Sequence, residues 1–227
     1  MPLPVPRVFP VVHHRWASLT VAQAELALAL GADGVFLIAH DNTDGEHDLI
    51  VLANHVADAH PDRLVGVNFL SLTAVPALEL AQAHGLRAVW VDDPGITSLG
   101  CNREGERFAD QARLRPMEVF ASVAFKYQAP EPLPGLAAQL VAARGLLPTT
   151  SGSGTGHAPE VAKIRQMRAA LQDDQRLAIA SGMDPENIEQ FLPFATDFLV
   201  ATGVSLDAHH FDPVLLDRFI QTVRAHR

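Results

Sequence analysis

Short apolar runs of β character alternate with helical patterns from one end of this chain to the other, and that alternation restricts its fold more than any other feature. Strand-like runs fall at 8–13, 34–39, 64–70, 88–92, 119–126, 146–150, 177–181 and 198–202. Helical periodicity occupies 20–30, 47–59, 75–84, 103–114, 136–143, 160–171, 185–192 and 213–225. Strands separated by helices run parallel, with right-handed crossovers. Eight such units in 227 residues predict one α/β domain over residues 1–227, a single (β/α)8 TIM barrel, with a doubly wound open sheet as the alternative fold. A composition 48% hydrophobic but only 6% aromatic suits a core of Val, Ile, Leu and Ala. Asp184 before Pro185 and Asp212 before Pro213 read as N-caps with proline at the first helical position. The segment 93–102 resists assignment, and long loops after barrel strands are where lids are kept.

The net charge of -9 argues against a partner that is duplex nucleic acid, because phosphate-backbone affinity needs clustered Lys and Arg. Lys163, Arg165 and Arg168 stand at helical spacing and read as a solvated helix face. A single cysteine, Cys101, excludes an intramolecular disulfide and a thiolate zinc cage and fits a reducing compartment. The start MPLPVPRVF lacks the charged and apolar regions of a signal peptide, and no run reaches the roughly 18 apolar residues of a membrane span. A cytoplasmic protein with no integral membrane segment is therefore expected, and the sequence permits a homo-oligomer.

In such a barrel the chemistry lies at the carboxyl ends of the strands. The polar residues there include His13, His14, His40, Asp41, Asn68, Ser71, Asp92, Asp93, Lys126, Ser181 and Thr202. Lys126 stands out because the chain has two lysines against fifteen arginines. Alternation along 119–126 places Ser122, Ala124 and Lys126 on one face, leaving the lysine room over the mouth. A general acid/base, a Schiff-base amine and a phosphate-binding cation all fit it, as does a lysine that snorkels to the rim without a chemical role. His13 and His14 point to opposite faces of a strand, and His209 with His210 has no partner at a metal spacing, so neither metal nor cofactor is expected.

Two stretches offer donors. TTSGSGTGHAPE at 149–160 fits neither the dinucleotide fingerprint nor a nucleophile elbow, yet its backbone N–H groups and the hydroxyls of Ser151, Ser153 and Thr155 suit a sugar hydroxyl or phosphate. It serves equally as a closing flap or a flexible connection. Further on, the turns after the last two strands bring Gly182, Met183, Thr202, Gly203 and Val204 to where a barrel phosphate site lies, although Met183 limits close approach and the glycines alone would also explain ordinary turns.

With these residues in place, the chain resembles the BtpA family, which includes the SgcQ-like proteins and is taken to consist of (β/α)8 barrels. The anchors are VVHH on the first strand, GVNFL at 66–70, DDPGI at 92–96, VFASVAFKYQAPEPL at 119–133, SGSGTG at 151–156 and SGMDPENI at 181–188. Lys126, Ala129 and Pro132 match the family's arrangement after the fifth strand, His13 its first-strand histidine and Asn68 its third-strand asparagine. The chain departs from it at IAHDN after strand two, at Trp90 and Asp92 on strand four, and in a shortened loop around Trp16. The resemblance implies the fold but no settled reaction, since photosynthetic members are linked to photosystem I biogenesis and SgcQ-like ones are counted among sugar or nucleoside enzymes. The tail also resembles the phosphate-binding half of phosphoribosylanthranilate isomerase, which implies a phosphorylated ligand by analogy.

The expected function is a metal-independent enzyme acting on a phosphorylated sugar or a nucleoside/nucleotide-like metabolite. Lys126, Asp92 and His13 form its catalytic set, Asn68, Ser151, Ser153 and Thr155 contact substrate, and the two glycine turns hold phosphate. Isomerisation, carbon–carbon lyase chemistry and N-glycosidic cleavage all suit these groups. The alternative is a non-catalytic binding or assembly factor that keeps the barrel mouth as a ligand sensor.

Overall fold

Strands covered by helices outside and packed against one another inside are buried on both faces, and here they are apolar on both. The computed structural model describes residues 3–40 and 45–227. In it β1 (Arg7–His13), β2 (Gly34–Ile38), β3 (Leu64–Asn68) and β4 (Ala88–Val91) form half of a parallel barrel. A small antiparallel hairpin, β5 (Ile96–Thr97) with β6 (Gly100–Cys101), then interrupts the series. The other half is β7 (Glu118–Ser122), β8 (Leu147–Thr150), β9 (Ala178–Ala180) and β10 (Asp197–Val200), and β10 closes on β1 with Arg7 opposite Asp197. The result is the expected TIM barrel, and the open sheet is excluded. Its outer ring holds α1 (Ala17–Ala29), α2 (Gly45–Ala59), α3 (Ala74–Ala83), α4 (Arg103–Arg113), α5 (Pro134–Ala142), α6 (Val161–Ala169) and α7 (Pro213–Arg224). Among the described residues no helix is long and apolar enough to cross a membrane.

Alternation divides each strand between two cores. Outward residues such as Val8, Val35, Val67 and Val89 pack under the helices. Inward ones fill the barrel, where Phe9, Phe36 and Phe120 meet edge to face at centroid distances of 4.9–5.9 Å. Gly66 sits opposite Phe36 in the ladder, and a Cβ at Gly66 would stand 2.4 Å from that ring. A glycine is required there by space rather than by backbone angle.

At the amino-terminal end of the barrel Arg7 lies across the bottom. Its Nε donates to Asp197 Oδ1 at 2.6 Å, and its two terminal nitrogens grip Glu118 on the opposite wall at 3.0 and 2.7 Å. Asp197, whose side chain is 0% exposed, also accepts from Thr196 Oγ1 at 2.6 Å and from Arg176 at 3.2 Å.

Four expectations need correction. Residues 185–192 form a single 3-10 turn, Ile188–Gln190, rather than a helix. Asp184 Oδ1 accepts from the N–H groups of Glu186 and Asn187, Asn187 Nδ2 donates to Gly182 O, and Pro193 brings no donor, so local side-chain bonds and proline outcompete a helical ladder. The fifth barrel strand stops at Ser122, not at 126: Val123 N–H still reaches Thr149 O, then Ala124 turns to φ +49. Segment 93–102 is the β5–β6 hairpin, fastened by Glu131 Oε2, which accepts from Ser98 N–H at 2.9 Å. The basic residues of α6 form a solvated face only at Arg165, which is exposed. Lys163 is half-buried beneath two loops, Arg168 is half-buried and donates to Gln175 O in the turn that follows the helix, and Arg165 lies over the Phe194 ring.

Candidate functional site

The inward phase that carries Val11, Ile38 and Trp90 continues one step upward to His13, His40 and Asp92, with Asn68 beside them at the end of β3. Below lies an apolar floor of Val11, Ile38, Trp90, Ala180 and Leu199, and above it a cavity of about 220 Å³. Trp90 is fixed from beneath, its Nε1 donating to Ser122 Oγ at 2.9 Å. Asp41 lies outside the described residues.

One side of this cavity is made for proton chemistry. Asn68, 1% exposed, donates from Nδ2 to Asp92 Oδ1 at 2.9 Å. Burial pushes the Asp92 carboxyl above the usual range, against the opposing pull of Asn68, Lys126 and His40. The His13 imidazole is pushed down to about 4 by burial first, then by His40, His209 and Lys126, and its ring centroid lies 4.9 Å from that of His40. A neutral imidazole and a carboxyl shifted towards its neutral form therefore face the same small space near pH 7, a pairing suited to moving protons.

The opposite side offers a cation, hydroxyls and backbone donors. Lys126 Nζ donates to Thr155 Oγ1 at 3.3 Å, and Tyr127, 82% exposed, brings its hydroxyl to the same oxygen at 3.2 Å. Ser181, Gly182 and Thr202 line the wall. Gly182 takes φ +70, and among the described residues no acceptor meets its N–H or that of Met183.

The structure thus brings His13, Asn68, Asp92, Lys126, Thr155, Gly182 and Thr202 to one cavity. It places the other candidates elsewhere. Ser151 is buried and structural, accepting the Lys126 N–H at 2.8 Å and donating to Gly152 O. Ser153 lines a neighbouring cavity between the loops that follow β7 and β8. Met183 and Val204 are buried, and the Val204 N–H goes to Ala201 O at 2.9 Å. Gly203 packs so closely under the preceding turn that a Cβ would stand 2.2 Å from Met183 O. His40 and Tyr127 line the mouth without having been singled out for it, although His40 follows Ile38 in the inward phase.

His13 makes a pH prediction. Between about 6.5 and 4 the unfolded chain binds a proton that the folded chain refuses, so stability falls as pH falls through that window. Asp92 acts oppositely, because its raised folded value makes stability fall as pH rises through the window just above 3.8. Thermal unfolding of the parent protein and of His13→Gln at pH 7 and pH 4.5 is expected to show the parent losing about 2 kcal/mol more than the variant. Equal losses would mean that His13 titrates normally.

No family model matches the chain, and no curated protein matches it in sequence. Solved structures do match in shape. The structure described as native KDPGal superposes with a TM-score of 0.71 at 13% identity over 96% of this chain and 95% of its own. Phosphoribosyl anthranilate isomerase from Thermus thermophilus gives 0.67 at 19% identity, covering 97% of this chain and all of its own. The 2-keto-3-deoxy-6-phospho-gluconate aldolase from Zymomonas mobilis gives 0.63 at 16% identity over 98% and 94%. At such identities the likeness establishes the fold: this chain is built as a TIM barrel over essentially its whole length, and barrels of that shape include enzymes named for phosphorylated compounds.

Proposed function

We propose that the barrel mouth binds a small phosphorylated metabolite, a sugar phosphate or a nucleotide-like molecule, and acts on it as an enzyme without a metal. A single observation carries this reading: one cavity has a cation, hydroxyls and the unpaired Gly182 N–H on one side and an acid–base pair on the other. Thr155, Thr202, the Gly182 N–H and Lys126 take the phosphate. Asp92, oriented by Asn68, exchanges a proton with the reacting carbon or oxygen, and neutral His13 accepts or donates the second hydrogen bond. Isomerisation, carbon–carbon cleavage and N-glycosidic cleavage each need such a pair. Among the described residues no three His, Cys, Asp or Glu side chains stand together as a metal site. An assembly factor is the less favoured reading, since Lys126 and Asp92 line one open cavity and no residue of the β5–β6 hairpin does.

Crystals soaked in phosphate or sulfate test the anion side. An anion is expected against the Gly182 N–H, Thr155 Oγ1, Thr202 and Lys126 Nζ, and thermal-shift screening of sugar phosphates and nucleotides is then expected to find a stabilising ligand. A mouth left empty by both the soak and the screen would overturn the proposal.

A further inference from the structure

Lys163 is the only lysine in the chain besides Lys126, and the chemistry above makes no use of it. It projects from α6 under the barrel mouth, where its Nζ donates to Ala124 O and, at 2.7 Å, to Ser151 O. Those two carbonyls belong to the segments that carry the anion side of the cavity. Ala124 stands two residues before Lys126. Ser151 accepts the Lys126 N–H through its hydroxyl and opens the loop that leads to Thr155.

The segment held in this way does not hold itself. After β7 ends, Ala124 at φ +49 and Tyr127 at φ +66 both occupy the left-handed region, unfavourable for residues with a Cβ and persistent only where surrounding bonds dictate it. Gln128 fastens one side of the bend, donating to Ser122 O at 3.0 Å and Asp92 O at 2.7 Å and accepting from Phe125 N–H. Thr150 Oγ1 adds a bond to Ala124 O at 2.9 Å. Lys163 ties the bend after β7 to the loop after β8 through a single charged atom, beside the bond from the Lys126 N–H to the Ser151 hydroxyl.

We infer that Lys163 is a positioning residue of the mouth: its ammonium clasps the carbonyls of Ala124 and Ser151 together and thereby sets where Lys126 and Thr155 stand. This rests on the assignment of Lys126 and Thr155 to the ligand's phosphate. The location is costly for an ammonium, and burial lowers its pKa to about 8 against a smaller upward pull from Glu160. Glu131, Lys126 and Tyr127 face the same cavity of about 470 Å³. A solvated lysine on α6 would have avoided that burial; this one accepts it where two carbonyls need a shared donor. The clasp consequently weakens as pH rises through 8, when the proton that makes both bonds charge-assisted is lost.

Two measurements on the full chain test this. In Lys163→Met, backbone amides of residues 123–128 and 151–155 are expected to exchange with deuterium about tenfold faster than in the parent protein, with the barrel strands unchanged. Binding of inorganic phosphate is expected to weaken about tenfold in the same variant. The parent's phosphate affinity is expected to decline between pH 7.5 and 9, a decline the variant lacks. Lys163→Gln, which keeps a neutral donor, is expected to recover part of the protection and serves if the methionine variant fails to fold. Unchanged exchange in the two loops overturns the clasp. Faster exchange with unaltered phosphate affinity overturns the positioning role while leaving the clasp. A parent protein that binds no phosphate, yet whose loops loosen in the variant, overturns the phosphate assignment and with it the role of Lys163 in binding.

Discussion

Replacing Arg7 with methionine is expected to cost about 3–5 kcal/mol of folding stability, although the residue lies at the opposite end of the barrel from the mouth. The change leaves the fully buried Asp197 carboxylate with only Arg176 and Thr196 as partners, and it frees Glu118 on the far wall. A charge stranded in a low-dielectric interior loses both solvent and partner, which is why removing one member of such a pair costs far more than the intact pair contributes. Arg7→Lys is expected to restore little. An ammonium cannot present an Nε to one carboxylate and a two-pronged fork to another, whereas the guanidinium does both. For a domain of this size the loss corresponds to roughly 10 °C in Tm, and urea unfolding of parent and variants measures it directly. A loss under about 1 kcal/mol would place the network with ordinary surface ion pairs.

Lys126→Met is expected to leave stability nearly unchanged and to cost about 2–4 kcal/mol in affinity for any phosphorylated ligand found by screening. Methionine keeps most of the apolar stem but removes the ammonium that lies over the Phe125 and Tyr127 rings within reach of Thr155. Titration calorimetry on the two proteins with one ligand gives the number. Equal affinities would move the centre of the site to Asp92 and His13 and exclude Lys126 from it.

Much of the barrel could be read before any coordinates, for a reason visible in its strands. The apolar period fixes eight parallel strands, and the inward phase set by Phe9, Phe36 and Trp90 extends past the strand ends to His13, His40 and Asp92. Those positions were legible because they obey the ladder. Lys126 reaches the mouth by leaving the ladder: the strand ends four residues earlier, and two left-handed residues aim the side chain, a path no alternation describes. Its scarcity, not its register, singled it out. The same scarcity applied to Lys163, yet helical spacing with Arg165 and Arg168 suggested solvent, and nothing in sequence shows two carbonyls waiting beneath a helix. The missing helix at 185–192 has a similar origin, since Asp184 before Pro185 reads as the cap of a full helix until its side chain and that of Asn187 are seen to hold a single turn.

The pairing of β1 with β10 sets a condition on how the chain is made. Arg7 and Asp197 are separated by 190 positions, so during synthesis β1 has no partner on one side until the residues leading to β10 have emerged. Until then its Val8, Phe9, Val11 and Val12 form one flank of an incomplete, open sheet, the kind of edge that recruits strands from other molecules. Arg7 at its foot carries a charge that disfavours edge-to-edge pairing of like copies. The arginine that closes the finished barrel also guards the nascent one.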